Sequence, residues 1–286
     1  MISFIDIYNF LFNYQIYSEF AAFLRILSVG YLLFCLVWFH KDAWAFSSSA
    51  GPFGEKDYKN FSRDIYPQFS LFDYFDNQVF AQKFIFINFF IFGFFSIIGL
   101  FTNISLFLFL VMMISIQSRI FPIIYSAGDS IARILITCLF ITDCGAQYSV
   151  DNILGLSSNQ NIINGTGIRI LQISICMIYF WSSIYKLRDQ YWLNGDAIKN
   201  AIASPIWGKR WCLKFWSTNL VSKIITWSVL TFEYFSPALF FIKETRNFAI
   251  IYAICMHICI TIFMRIGYFG PIMIISILSF CNDFFK

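Results

Sequence analysis

The sequence is poor in charged residues, and this sets the class of protein. Only 13% of its 286 residues are charged, whereas 59% are hydrophobic. A typical soluble domain has about 25% charged residues. The composition therefore excludes an ordinary soluble globule, and it also excludes a disordered chain, which would be rich in charge and poor in apolar residues. The sequence predicts a multi-pass protein of the cell membrane.

Histidine is scarce, and the cysteines lack the spacing of a metal site. The two histidines are His40 and His257, and none of the eight cysteines forms a CxxC pair. We therefore predict no metal site. Only Cys144 and Cys212 fall in predicted loops, so cysteine usage fixes no redox compartment. The net charge of +4 is small, and we predict no nucleic-acid partner.

Apolar segments separated by polar connections predict an all-α fold. Their approximate bounds are 22–39, 84–101, 104–120, 131–141, 168–184, 220–242, 248–263 and 266–281. The fourth segment is short for a span and is interrupted by Arg133. The prediction is an integral membrane bundle of about eight transmembrane or re-entrant helices, in a single domain over residues 1–286.

Three other segments are predicted to lie at the membrane surface. Residues 1–20 carry Asp6 and Glu19 but no basic start and no small-residue cleavage site. They indicate an amphipathic interfacial helix rather than a secretory signal. Residues 41–82 and 186–219 are rich in aromatic side chains, as is typical of a membrane–water interface. We expect these two segments to cap a site.

Ionisable residues at membrane depth are costly to bury, so they are the candidates for a functional site. Lys186 directly follows an apolar segment. It is either a snorkelling interfacial lysine or a lysine partly removed from water that accepts protons. Glu233 and His257 lie inside the sixth and seventh segments, as structural partners or as site residues. Asp129 and Arg133, four residues apart, form a structural pair or contact a ligand.

Four stretches occur in a characteristic order. They are Leu24-Arg25-Ile26; residues 128–133 (GDSIAR) with 148–151 (YSVD); residues 185–187 (YKL) through 192–197 (WLNGDA); and Glu233 with Pro237, followed by His257. Together they resemble the HTTM family, the membrane domain shared with vitamin K-dependent gamma-carboxylase. The third stretch is the most specific, and the resemblance covers most of the chain. It implies a gamma-carboxylase-like membrane domain.

The resemblance also implies a site. In carboxylases of this family, a lysine in the third stretch is regarded as the base that deprotonates vitamin K hydroquinone, and it matches Lys186. The candidate catalytic residues are Lys186, Asp129, His257 and Glu233. The candidate substrate-binding residues are Arg133, Trp192, Gly195 and Tyr185. A quinone or another lipid is the implied cofactor.

Two departures separate the sequence from the carboxylases. Carboxylases have a histidine near the position of Asp129, and they carry a long C-terminal extramembrane region, whereas this sequence ends at Lys286 just after its last apolar segment. The sequence is thus more similar to short bacterial HTTM proteins. One group of these acts with a small partner to mature a secreted peptide toxin, as in sporulation-delaying systems.

The expected function is therefore a membrane-embedded factor that matures or modifies a secreted, toxin- or bacteriocin-like peptide. Its partners would be membrane lipid, the peptide and a small accessory protein. Two alternatives stay open: a gamma-carboxylase-like enzyme that uses a quinone or lipid with a lysine base, and a non-catalytic scaffold or immunity protein. Orientation is open as well. The positive-inside rule places the face of Lys186 in the cytoplasm, whereas the resemblance places it outside.

Overall fold

A computed structural model describes residues 4–48, 69–120, 126–209 and 219–285. The chain divides into two compact units, Met1–Arg169 with Phe284–Lys286, and Ile170–Asp283. Residues 49–68 of the predicted surface segment 41–82 and residues 210–218 of the segment 186–219 lie outside the described residues. Cys212 lies there too, whereas Cys144 is a buried free thiol.

The first unit is built around a helical hairpin. Its helices are α1 (Phe4–Phe12), α2 (Ser18–Trp38), α3 (His40–Ser47), α4 (Gln78–Ile98), α5 (Thr102–Ile120), α6 (Ala127–Ile141) and α7 (Val150–Ile153), with a 3₁₀ helix at Leu71–Tyr74. Helix α4 ends at Gly99, which adopts the left-handed conformation with φ 71°. Only glycine adopts this conformation without steric cost, so the chain can turn sharply into α5.

Two short strands depart from the all-α prediction. Strand β1 (Gln15–Tyr17) pairs antiparallel with β2 (Ile162–Asn164), and Ile16 lies opposite Ile163. Both isoleucines are buried. The β-branched pair stabilises a strand here, so the first helix ends at Phe12 instead of continuing to residue 20. The partners are far apart in sequence, and no local pattern predicts the pairing.

The second unit contains most of α8 (Thr166–Lys186), which begins in the first unit. It continues with α9 (Gln190–Leu193), α10 (Ala197–Ala203), α11 (Asn219–Phe241), α12 (Lys243–Phe263), α13 (Phe269–Ile277) and a 3₁₀ helix at Leu278–Phe280; a last 3₁₀ helix is Asn282–Phe285. Helices α11 and α12 pack together, and α12 packs on α13.

Six helices in the described part of the chain are long and apolar enough to cross a membrane. They are α2, α4, α5, α8, α11 and α12. The two other predicted segments are shorter: α6 has 15 residues, and the apolar helix Phe269–Phe280 also falls below the length of a candidate span. A membrane crossing needs about 20 residues. The fold is an integral membrane bundle, and the predicted count of about eight spans is not confirmed.

Candidate functional site

The last residue of α8 forms a buried ion pair with the middle of α11. Lys186 Nζ lies 2.5 Å from each carboxylate oxygen of Glu233. The Glu233 side chain is 7% exposed and that of Lys186 is 19% exposed. Each charge removes much of the cost of burying the other. The Lys186 side chain thus binds a buried carboxylate and is itself still partly exposed.

The segment after α8 folds back over this lysine. The Asp189 carboxylate accepts a hydrogen bond from the Tyr191 amide at 2.8 Å and caps α9. The short helix then places the Trp192 ring with its centre 4.5 Å from Lys186 Nζ. An ammonium at this distance from an indole ring is stabilised by a cation–π interaction. The structure therefore brings together Lys186, Glu233 and Trp192.

One face of α11 holds this segment in place. The Gly195 carbonyl accepts hydrogen bonds from Ser222 Oγ at 2.9 Å and from Thr226 Oγ1 at 3.2 Å. Gly195 itself has φ 80°, which a residue with a side chain rarely adopts. Glu233 follows Thr226 by seven residues, so it lies on the same helical face. The face that anchors the turn also supplies the carboxylate.

Helix α11 remains continuous through a proline at this point. Pro237 has no amide hydrogen to donate to the Glu233 carbonyl four residues earlier. Ser236 Oγ donates to that carbonyl instead, at 2.9 Å. The replacement hydrogen bond preserves the helix around Glu233.

A second polar pair joins α8 to α12. Tyr179 Oη is 2.8 Å from His257 Nε2, and both side chains are buried. Tyr179 precedes Lys186 by seven residues, so it lies on the same face of α8. The Tyr179 ring stacks on Phe240 at an angle of 8°. Sequence reasoning missed Tyr179, and its spacing from Lys186 is the one signal that could have indicated it.

The remaining predicted site residues have other surroundings. Tyr185 is exposed, and the guanidinium carbon of Arg188 lies 5.9 Å from the centre of its ring. Asp129 and Arg133 belong to α6 in the first unit, where Arg133 Nε donates to Gln117 Oε1 at 2.7 Å. Six of the eight predicted residues therefore belong to the second unit: Lys186, Glu233, His257, Trp192, Gly195 and Tyr185.

The first unit has a buried charged cluster of its own. The Arg25 guanidinium donates to the carbonyls of Cys144 at 2.7 Å and Tyr148 at 2.6 Å. The Asp151 carboxylate accepts from the amides of Phe101 and Thr102 and from the Thr102 hydroxyl, each at 2.7 Å. These partners are mainly backbone groups, so the cluster fixes loops. Arg25 and Asp151 belong to stretches that resemble the HTTM family, but their local patterns do not predict these contacts.

Comparison with known proteins agrees with this architecture. The model of a family described as the HTTM domain matches residues 26–284. No curated protein and no solved structure matches the chain. The chain therefore belongs to the HTTM family, and with its six apolar helices it is a multi-pass membrane protein.

Proposed function

We propose that this HTTM protein is a membrane-embedded factor that matures or modifies a secreted peptide, with Lys186 and Glu233 as its reactive pair. The observation that carries the proposal is the contact of Lys186 Nζ with both oxygens of Glu233. In this proposal the chain is one membrane domain, α6 and the helix Phe269–Phe280 are re-entrant, and residues 186–219 lie at the interface.

The pair can move a proton in a simple way. Glu233 takes a proton from the Lys186 ammonium, and the neutral amine then removes a proton from the substrate. In a weakly polar site the charged and neutral forms of such a pair differ less in free energy than they do in water. The Trp192 ring favours the ammonium form through its cation–π contact. A substrate that displaces Trp192 therefore favours the amine, which is the form that acts as base.

The surroundings of the pair suit a peptide at a membrane surface. Large apolar side chains are exposed at the end of α8 and along the segment that follows it, namely Tyr185, Leu187, Tyr191, Leu193 and Trp207. Aromatic and aliphatic groups next to a polar pair can hold an amphipathic chain. Membrane lipid and a small accessory protein are the other proposed partners of this surface.

The test compares secreted peptides from a strain that lacks the gene after complementation with wild type, Lys186→Ala or Lys243→Ala. Lys243 is an exposed lysine at the start of α12 and serves as the control. We expect mass spectrometry to show a secreted peptide that disappears or changes mass with Lys186→Ala alone. Identical peptides from wild type and Lys186→Ala, at equal protein levels, would overturn the proposal. A peptide that needs the protein but not Lys186 would favour a scaffold.

A second candidate is an enzyme that uses a quinone or another lipid with Lys186 as base. It is favoured by the rings around the Tyr179–His257 pair, which belong to Phe232, Phe240 and Phe269. Aromatic walls suit a flat apolar ligand. Native mass spectrometry of purified wild type should then detect a retained quinone or lipid that Lys186→Ala binds less well. Equal retention by both proteins would argue against this candidate.

A further inference from the structure

In the Tyr179–His257 pair, one imidazole nitrogen of His257 is hydrogen-bonded and the other is not. His257 Nε2 contacts the Tyr179 hydroxyl at 2.8 Å. The other nitrogen, Nδ1, is buried and has no hydrogen-bond partner among the residues that the structure describes. His257 is 1% exposed and Tyr179 is 2% exposed, so bulk water does not satisfy either group.

Counting protons distinguishes the two possible arrangements. A tyrosine hydroxyl carries one proton, and a neutral imidazole carries one on either nitrogen. If Tyr179 donates to Nε2, the imidazole proton is on Nδ1 and is the single buried donor left without an acceptor. If Nε2 donates to Tyr179, both the hydroxyl proton and Nδ1 are left without partners. Unpaired buried polar groups destabilise a protein, so the first arrangement is favoured.

We infer that Tyr179 is a positioning residue that holds His257 in the tautomer with its proton on Nδ1. Neighbouring rings limit the movement of both side chains. Tyr179 stacks on Phe240 and meets the edge of Phe232, whereas His257 meets the edge of Phe269 at 5.5 Å between ring centres. Close packing of this kind fixes side-chain rotamers and so maintains the hydrogen bond.

The tautomer separates the roles of two residues in the site. With its proton on Nδ1, His257 offers a hydrogen-bond donor and has no free lone pair at that atom. The Tyr179 hydroxyl occupies the lone pair of Nε2, so His257 has no lone pair available as a base and proton removal is left to Lys186. This consequence rests on the proposed function, whereas the tautomer itself is a property of the protein without substrate.

The tautomer can be read from ¹⁵N spectra of histidine-labelled protein. The chain has two histidines, and His40→Gln leaves His257 alone. This substitution is needed because His40 Nδ1 faces the Val37 carbonyl at 2.6 Å and is therefore itself protonated. Spectra would be recorded at about pH 8, above the ordinary histidine pKa of about 6.5. We expect a protonated Nδ1 and an unprotonated Nε2. A protonated Nε2 would overturn the inference.

Two hydroxyl deletions complete the experiment. Tyr179→Phe should shift the Nε2 signal of His257 and mix the two tautomers. Tyr252→Phe is the matched control, because it removes a hydroxyl that donates to Ser228 Oγ at 2.9 Å in the same unit. An unchanged His257 spectrum in Tyr179→Phe would overturn the positioning role. The spectra need no substrate, so a failure of the peptide experiment leaves them unaffected and the two proposals fail separately.

Discussion

Each unit of this membrane protein buries a pair of opposite charges, and the two pairs have different partners. Arg25 and Asp151 bind backbone groups and the Thr102 hydroxyl, and Arg25 is completely buried. Lys186 and Glu233 bind each other, and the lysine is 19% exposed. The first pair therefore holds loops in place, whereas the proposed function assigns proton exchange to the second.

The chemistry of the side chains supports this division. A guanidinium stays charged and presents donors in a fixed fork, which suits two carbonyl groups at fixed positions. The Asp151 carboxylate already accepts three hydrogen bonds. A lysine amine, in contrast, can lose its proton, and Glu233 is an adjacent group that can receive it.

Asp151→Ala should have the largest effect on stability. It leaves two backbone amides and the Thr102 hydroxyl without their acceptor, and we expect the free energy of unfolding to fall by about 3 kcal/mol or more. Fluorescence-detected size exclusion after heating in detergent would measure the loss. Asp143→Ala is the control, because Asp143 accepts one hydrogen bond from Ser158 at an exposed position. If Asp151→Ala and Asp143→Ala had the same melting temperature, Asp151 would not be important for stability.

Arg25→Lys should have the next largest effect. Lysine keeps the charge, but its single ammonium cannot reproduce the fork that binds the carbonyls of Cys144 and Tyr148. We expect a loss of about 2 kcal/mol, measured by the same heating assay. Arg188→Lys, at an exposed position, should melt like wild type. If Arg25→Lys also melts like wild type, charge alone is sufficient in the first unit.

Glu233→Gln should affect the secreted peptide more than the stability of the protein. The amide still accepts a hydrogen bond from Lys186 but neither balances its charge nor takes its proton. Because the lysine is 19% exposed, we expect a loss of about 2 kcal/mol, smaller than that of Asp151→Ala. The secreted peptide should fall by about a hundredfold, since general acid–base groups contribute about this much or more. Parallel heating and peptide assays would measure both. If Glu233→Gln lost as much stability as Asp151→Ala and the peptide were unchanged, both charged pairs would stabilise the fold and neither would take part in the chemistry.

Much of the fold could be predicted because long apolar runs are a local property. The six long apolar helices of the described part of the chain follow from such runs, and so do the ionisable residues within or beside them, Lys186, Glu233 and His257. Their partners could not be predicted, because Lys186 and Glu233 are 47 residues apart and Tyr179 and His257 are 78 apart. A tyrosine in an apolar run indicates ordinary packing, and nothing local shows that its hydroxyl meets an imidazole.

The smallest effect is expected for the alkylation of Cys144 in the folded protein. This reaction measures how well the first unit keeps its interior from solvent. Burial raises the pKa of the Cys144 thiol to about 12, and the side chain is fully buried. Iodoacetamide reacts with the thiolate, and an ordinary cysteine with a pKa of about 8.5 is partly ionised at about pH 8. We therefore expect almost no alkylation of Cys144 in the folded protein at this pH and rapid alkylation in SDS, measured by peptide mass.

The Cys144 thiol can also be used to compare the two charged pairs directly. The Cys144 carbonyl accepts from Arg25, so loosening the first unit should expose the neighbouring thiol. Asp151→Ala should therefore raise the alkylation rate of Cys144 in detergent, whereas Glu233→Gln should leave it unchanged. Equal acceleration by both variants would show that the two charged pairs stabilise one cooperative structure. Acceleration by Asp151→Ala alone would show that the first pair keeps the Cys144 thiol buried. Glu233 would then have no part in this structural role, as the proposed chemistry requires.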